Sequence, residues 1–144
     1  MGISIWGKVE CRTGHGAWDY EDEDWDCAID LDLLLLHNDY ASFGCLFGVR
    51  DVYDFEPLFA GRGLPGDAST PTRSAIGFLC KSTSWFTWAE MQGVDWDERS
   101  ACRDAVTRRE VVLEKDVWLP LWDVMRTLAR LHGDDNVRLV VAFE

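Results

Sequence analysis

"VRLVVAFE", residues 137 to 144, puts Val137, Leu139, Val141 and Phe143 on one side of an extended chain, because side chains alternate across a strand. Asp134 and Asp135 just before it supply a turn. The same period of two runs through the opening residues, where Ile3, Ile5, Gly7 and Val9 alternate with Ser4, Trp6, Lys8 and Glu10. Two half-buried strands at opposite ends of so short a chain are expected to share one sheet. The predicted fold is α+β: a mainly antiparallel sheet that includes both terminal strands, with two or three helices packed on it.

The helix signals lie between those strands. In "NDYASFGCLFGVRD", residues 38 to 51, Asn38 or Asp39 can cap a helix whose Phe43, Leu46 and Phe47 share one face. Gly48 stops it, and Arg50 follows. In "TSWFTWAEMQG", Thr87 and Glu90 form a capping box, Phe86 can staple to Met91, and Gly93 ends the turn. "LPLWDVMRTLARLHG", residues 119 to 133, has Pro120 at a first helical turn and an apolar stripe of Leu121, Val124, Met125 and Leu128. Arg126, Arg130 and His132 complement its negative end before Gly133. "IDLDLLLL", residues 29 to 36, reads either as a strand buried at its far end or as an approach to the next helix. Residues 97 to 116 carry Arg99, Arg103, Arg108 and Arg109 among Glu98, Asp104 and Glu110 at helical spacing. They are expected to form a solvated helix face.

Composition limits the classes of function. At 144 residues the chain is expected to be one domain, 1–144. Eight Trp, seven Phe and three Tyr supply ample core. A balance of 26 acidic against 14 basic residues gives a net charge of −12, which repels phosphate backbones and argues against direct nucleic-acid binding. The same charge can imitate nucleic acid toward a protein, or simply keep the chain in solution. No apolar run approaches the roughly 20 residues that span a bilayer, and the start does not read as a secretory signal, so a soluble, cytoplasmic protein is expected. Gly2 lacks the Ser or Thr four residues on that myristoylation prefers. Five widely spaced cysteines without a C-x-x-C pair indicate neither a disulfide framework nor a zinc knuckle.

Acid-based and histidine-based chemistry finds little support. Six acids between Asp19 and Asp26 lack the register of a calcium loop and are expected to form a solvated loop or hairpin tip. His15, His37 and His132 fall in no nucleophile or metal pattern, and Ser82 and Ser84 lack the nucleophile elbow. No catalytic residue, metal or cofactor is assigned.

"FAGRGLPGDAST", residues 59 to 70, is the stretch that reads most like a binding loop. Gly61, Gly63 and Gly66 leave backbone N–H groups open to close approach, and Arg62 can fork onto a phosphate or carboxylate. Equally, "GRGLPGD" can be a pair of tight turns set by Pro65 and Gly66. Neither the Walker pattern nor the dinucleotide fingerprint occurs. Trp85, Trp88 and Trp96 cluster nearby in sequence, as a stacking platform or as core.

Four segments, "MGISIW", "NDYASFGCLFGVRD…GRGLPGDAS", "TSWFTWAE…DW" and "VRLVVAFE", occur in an order that resembles a family of small proteins encoded by bacteriophages and prophages. Its members begin M-G-C-D-I-H and carry R-G-L-P-x-D-x-S, then H-S-x-S-W-x-T-x-x-E-L. Arg62, Gly63, Leu64, Pro65, Asp67, Ser69, Ser84, Trp85, Thr87 and Glu90 match that pattern. Ile3 and Trp6 stand where the family has Cys and His, and Lys81, Ser82 and Thr83 stand around its later His. The departures put any metal or catalytic role of those histidines in doubt for this chain.

The resemblance implies interference with host defence inside the bacterial cell. The expected activity is capture, without turnover, of a nucleotide immune signal such as a cyclic ADP-ribose isomer or a cyclic oligonucleotide. The expected ligand-binding residues are Arg62 and Gly63 for phosphate, Asp67 and Ser69 for the sugar, Trp85 or Trp88 for the base, and Arg50 beside them. A homo-oligomer that encloses the site fits the same picture. The alternative is an acidic protein-binding inhibitor or nucleic-acid mimic that blocks a host defence protein. A third reading, hydrolysis of the signal, differs by degrading its ligand.

Overall fold

The computed structural model describes residues 4–12, 25–36, 39–50, 52–76, 82–102 and 105–143. Four strands form one sheet: β1 (Ile5–Cys11), β2 (Asp26–Asp30), β3 (Ser82–Thr87) and β4 (Val137–Phe143), in the order β2-β1-β4-β3. Every neighbouring pair is antiparallel. The terminal strands are partners at the centre of the sheet, paired from Ile5 opposite Phe143 to Cys11 opposite Val137. The α+β expectation therefore holds, and so does the shared sheet.

The alternation read from the sequence sorts the two faces. Val9 and Cys11 of β1, Leu139, Val141 and Phe143 of β4 and Phe86 of β3 lie on one side, in the main core. Helices α1 (Tyr40–Phe47), α3 (Trp88–Gln92) and α4 (Leu119–His132) cover that side. Aromatic packing fills it: Trp118 and Trp122 stack at 5.1 Å, and Phe43, Phe47, Phe59 and Phe86 form a chain of ring contacts from 4.8 to 6.1 Å. Each such side chain contributes roughly 1.5–3 kcal/mol by leaving water.

The other side carries Lys8, Glu10, Arg138, Val140, Ala142 and Trp85, and it too is covered. A short helix, α2 (Thr70–Ile76), packs there, with Ile76 against Val140 and Ala142. All seven residues of β4 are buried as a result. No helix is expected from the pattern at 70–76. Its local signal is Ser69, whose hydroxyl accepts from the Thr72 N–H at 3.4 Å as an N-cap does.

Several local expectations hold. Thr87 and Glu90 form the reciprocal capping box, and Gly48 ends α1 at φ 78°. Asp39 occupies the N-cap position of α1 without capping the backbone. Its carboxylate instead accepts from Ser42 Oγ and from Trp118 Nε1 at 3.3 Å. "IDLDLLLL" turns out to be neither alternative in full: β2 stops at Asp30, and a 3₁₀ turn, Leu31–Leu33, leads into an irregular segment.

The solvated helix expected over 97–116 is corrected. Residues 98–102 and 105–107 are irregular and are joined by a bridge between Arg99 and Thr107, and a π-helical turn, Arg109–Leu113, follows. Arg108 is buried. Its guanidinium bonds the Glu98 carboxylate at 3.2 Å, the Glu56 carbonyl at 2.8 Å and the Cys45 carbonyl at 3.4 Å, and lies 4.7 Å over the Phe55 ring. The Cys45 and Glu56 carbonyls and the Glu98 carboxylate supply the acceptors that a buried guanidinium needs. The acidic stretch from Asp19 to Asp24, together with His15, His37, Cys80 and Lys81, lies outside the described residues. No helix among the described residues is long and apolar enough to cross a membrane.

Candidate ligand site

The glycine loop runs beside β3, which is an edge strand of the sheet. Gly63 N–H donates to the Thr83 carbonyl at 3.0 Å, Arg62 N–H donates to Ser84 Oγ at 3.3 Å, and Ser84 Oγ donates to the Phe59 carbonyl. Gly61 and Gly63 take positive φ, 67° and 79°, and a Cβ at either would meet nothing within 4 Å. The space beside both is open, but the expectation of free backbone donors is corrected: the Gly63 and Arg62 N–H groups are spent on β3. Together with Gly48, Val49, Ser82 and Thr83 the two glycines line an open groove of about 430 Å³.

The Arg62 side chain leaves that groove and crosses to Trp85. Its guanidinium lies 5.1 Å from the Trp85 ring and 5.1 Å from the Phe59 ring. It forks onto Glu90, Nη1 to Oε1 at 2.8 Å and Nη2 to Oε2 at 2.5 Å, and reaches the Trp85 carbonyl at 3.3 Å. The pair is about one-third exposed, 30% for Arg62 and 33% for Glu90. The Arg62 hydrogen bond, against a smaller opposing effect of burial, holds the Glu90 carboxyl below its ordinary range. The Arg62 fork is thus already filled by a carboxylate of the same chain.

Trp85 connects this pair to a second one. Arg138 lies 5.7 Å from the Trp85 ring and 3.8 Å from that of Trp25, and Arg12 stands 4.8 Å from Trp25. Arg62, Trp85, Arg138, Trp25 and Arg12 therefore alternate as a ladder of cations and rings. The ladder's central charge is compensated by acids. Arg138 Nε bonds Glu10 Oε1 at 2.8 Å, and Nη1 bonds Asp67 Oδ1 at 2.9 Å. Glu10 Oε2 accepts from Ser69 N–H and Thr72 Oγ1, both at 2.8 Å. Asp67 Oδ2 accepts from Trp25 Nε1 at 3.0 Å. Burial pushes the Asp67 carboxyl up, but the hydrogen bonds and charge of Arg138, with help from Trp25, outweigh it and hold the group low.

The seven predicted binding residues are accordingly divided. Arg62, Gly63 and Trp85 come together. Asp67 is exposed but committed to Arg138 and Trp25, and Ser69 is buried beneath α2 against Glu10 and Thr72. Trp88 is 5% exposed and packs on Trp122 at 6.3 Å, in the core rather than on a surface. Arg50 follows Val49 of the groove, and its guanidinium lies 5.5 Å over the ring of Tyr40, the first residue of α1. Glu10, Arg138 and Trp25 are the residues sequence reasoning missed. Charges on an alternating strand read as its wet side, and nothing in sequence links Glu10 to an arginine 128 positions away. The one available signal was that β1 and β4 both place a charge at the same register position.

Among the described residues no group of three or more His, Cys, Asp or Glu side chains is arranged to hold a metal. Compared with known proteins, the chain matches no family model, no curated protein and no solved structure.

Proposed function

We propose that the protein binds a small anionic nucleotide and sequesters it, as a phage-encoded sponge for a host nucleotide signal does. The observation that supports this reading is the Arg62 fork: a partly exposed guanidinium, faced by Trp85, on a loop whose neighbours are bare glycines. A phosphate or pyrophosphate replaces the Glu90 carboxylate on the fork, since both present two acceptor oxygens to its N–H groups. The ligand's base takes the accessible part of Trp85, and the groove beside Gly61 and Gly63 receives the rest. The host-defence setting and retention without turnover rest on the resemblance to phage proteins.

The test is a thermal-shift screen against ADP-ribose, its cyclic isomers, cyclic di- and trinucleotides and NAD. Heat release and chromatography of any bound compound follow. A sponge gives a large shift and returns its ligand intact; a hydrolase returns fragments. Arg62→Ala is expected to lose at least about tenfold in affinity. Glu90→Gln is expected to gain, because a neutral amide competes less well for the fork. Absence of any nucleotide shift sinks the reading. The alternative, an acidic inhibitor of a host protein, has its own support: Asp116, Asp134 and Asp135 are exposed and lack an ion-pair partner among the described residues. Such a complex would dissociate steeply as salt rises, whereas an enclosed nucleotide would be far less sensitive.

A further inference from the structure

The two arginines beside the Trp85 ring each hold carboxylates of the chain: Glu90 for Arg62, and Glu10 with Asp67 for Arg138. Arg73 differs. It is exposed on α2, and among the described residues no carboxylate pairs with it. Its guanidinium donates instead to the main-chain carbonyl of Gly66, from Nη2 at 2.8 Å. That bond spends one of five N–H donors, and the others have no partner among the described residues. In a chain with 26 acidic residues, Arg73 is a cation left without local neutralisation.

The bond to Gly66 fixes where that charge stands. Gly66 closes the glycine loop four residues after Arg62, so the two positions are at most about 14 Å apart along the chain. Gly66 is exposed, and a Cβ there would meet nothing within 4 Å. Leu64, midway along the loop, packs with Trp85 on the cluster of Ile76, Val140 and Ala142, and Ile76 lies one helical turn beyond Arg73. The loop therefore carries one guanidinium near its start, over Trp85, and receives a second at its end. We propose that Arg73 is a second anion contact of the Arg62 site, which selects ligands with at least two phosphates over those with one. The inference rests on the nucleotide reading and narrows it. One phosphate takes the place of Glu90 on Arg62, and another meets the open donors of Arg73. A joined pyrophosphate and phosphates set apart on a ring share this chemistry, and their relative affinities distinguish them.

The probes are AMP, ADP-ribose, cyclic ADP-ribose and cyclic di- and triadenylate, titrated by calorimetry into the full chain, Arg62→Ala and Arg73→Gln. The wild type is expected to bind a probe with two or more phosphates at least about tenfold more tightly than AMP. Arg73→Gln should erase that preference, lowering the affinity of this probe about tenfold, leaving AMP within about twofold and flattening the salt dependence. The Gln amide can still donate to the Gly66 carbonyl, and a thermal melt verifies that the variant is folded. Equal losses for AMP and the larger probes overturn the proposal, because Arg73 would then only hold the loop. Full affinity in Arg73→Gln, with loss in Arg62→Ala, overturns it too and leaves the nucleotide reading standing. So does AMP binding as tightly as every other probe. A wild-type chain that binds none of the nucleotides overturns both.

Discussion

Arg138, the second residue of β4, has its charge withdrawn from water, and Glu10, equally buried, faces it from the neighbouring strand. Burying two charges costs several kcal/mol each before they attract one another, so the pair is sustained by its further bonds to Asp67, Ser69 and Thr72. Removing one partner leaves the other uncompensated. Arg138→Ala is expected to destabilise by roughly 3–5 kcal/mol, measured by urea unfolding. The double variant Glu10→Gln with Arg138→Met should lose less than the two single changes combined, because no lone charge remains. At the surface the same chemistry is weaker. Glu90 titrates below its ordinary value of 4.5 in the folded chain, so its contribution is in place above that value and is lost as pH falls through the lower folded one. Asp67 acts in the same direction. Following the Glu90 carboxyl by NMR should show its titration return toward the ordinary value in Arg62→Ala. No change would mean that Arg62 does not hold it in solution.

Among the elements, the turns separate conformation from packing. Gly48 and Gly61 both have positive φ, but a Cβ at Gly48 would lie 2.8 Å from Pro57 Cγ, whereas one at Gly61 meets nothing. Gly48→Ala is therefore expected to lower the melting temperature clearly more than Gly61→Ala, which bears only left-handed strain of about 1–2 kcal/mol. Equal effects would show that the Pro57 side gives way. Thr87→Ala removes the hydroxyl half of the capping box on α3 and should cost about 1 kcal/mol. The same change would also free Glu90 from one of its anchors, so affinity for the nucleotide proposed to bind at Arg62 offers a second readout. α2 is held differently, since Glu10 reaches up from the sheet to its first residues and couples the helix to the buried ion pair.

Over the whole molecule, what was legible in the sequence was periodic or local. Alternation at residues 3–10 and 137–143 gave the paired strands, and Thr87, Glu90, Gly48 and Pro120 gave helix boundaries from chemistry within four residues of each other. What was not legible depends on partners far apart. Arg108 read as solvated because its acceptors, the carbonyls of Cys45 and Glu56, carry no signal in side-chain type. Arg62 was legible as a guanidinium able to fork onto an anion, but its partner was not, because Glu90 was fully explained by its cap. The Arg and Trp ladder crosses β3, β4 and the ends of β1 and β2, so no window of sequence contains it.

The place of β4 between β1 and β3 also has a consequence in time. A ribosome delivers β1 first and β4 after every other described element, yet β1 has no inner neighbour until β4 arrives. While synthesis proceeds, Val9, Cys11 and Phe86 have no completed sheet to pack on. The molecule must close its longest loop last, which slows folding and leaves nascent chains open to proteases and in need of holdase chaperones. Chains arrested on the ribosome before residue 137 emerges should be degraded by a protease pulse, and those arrested after residue 143 has cleared the exit tunnel should survive it. Protection that rises gradually with length would instead mean that the helices form a stable nucleus without their central strand.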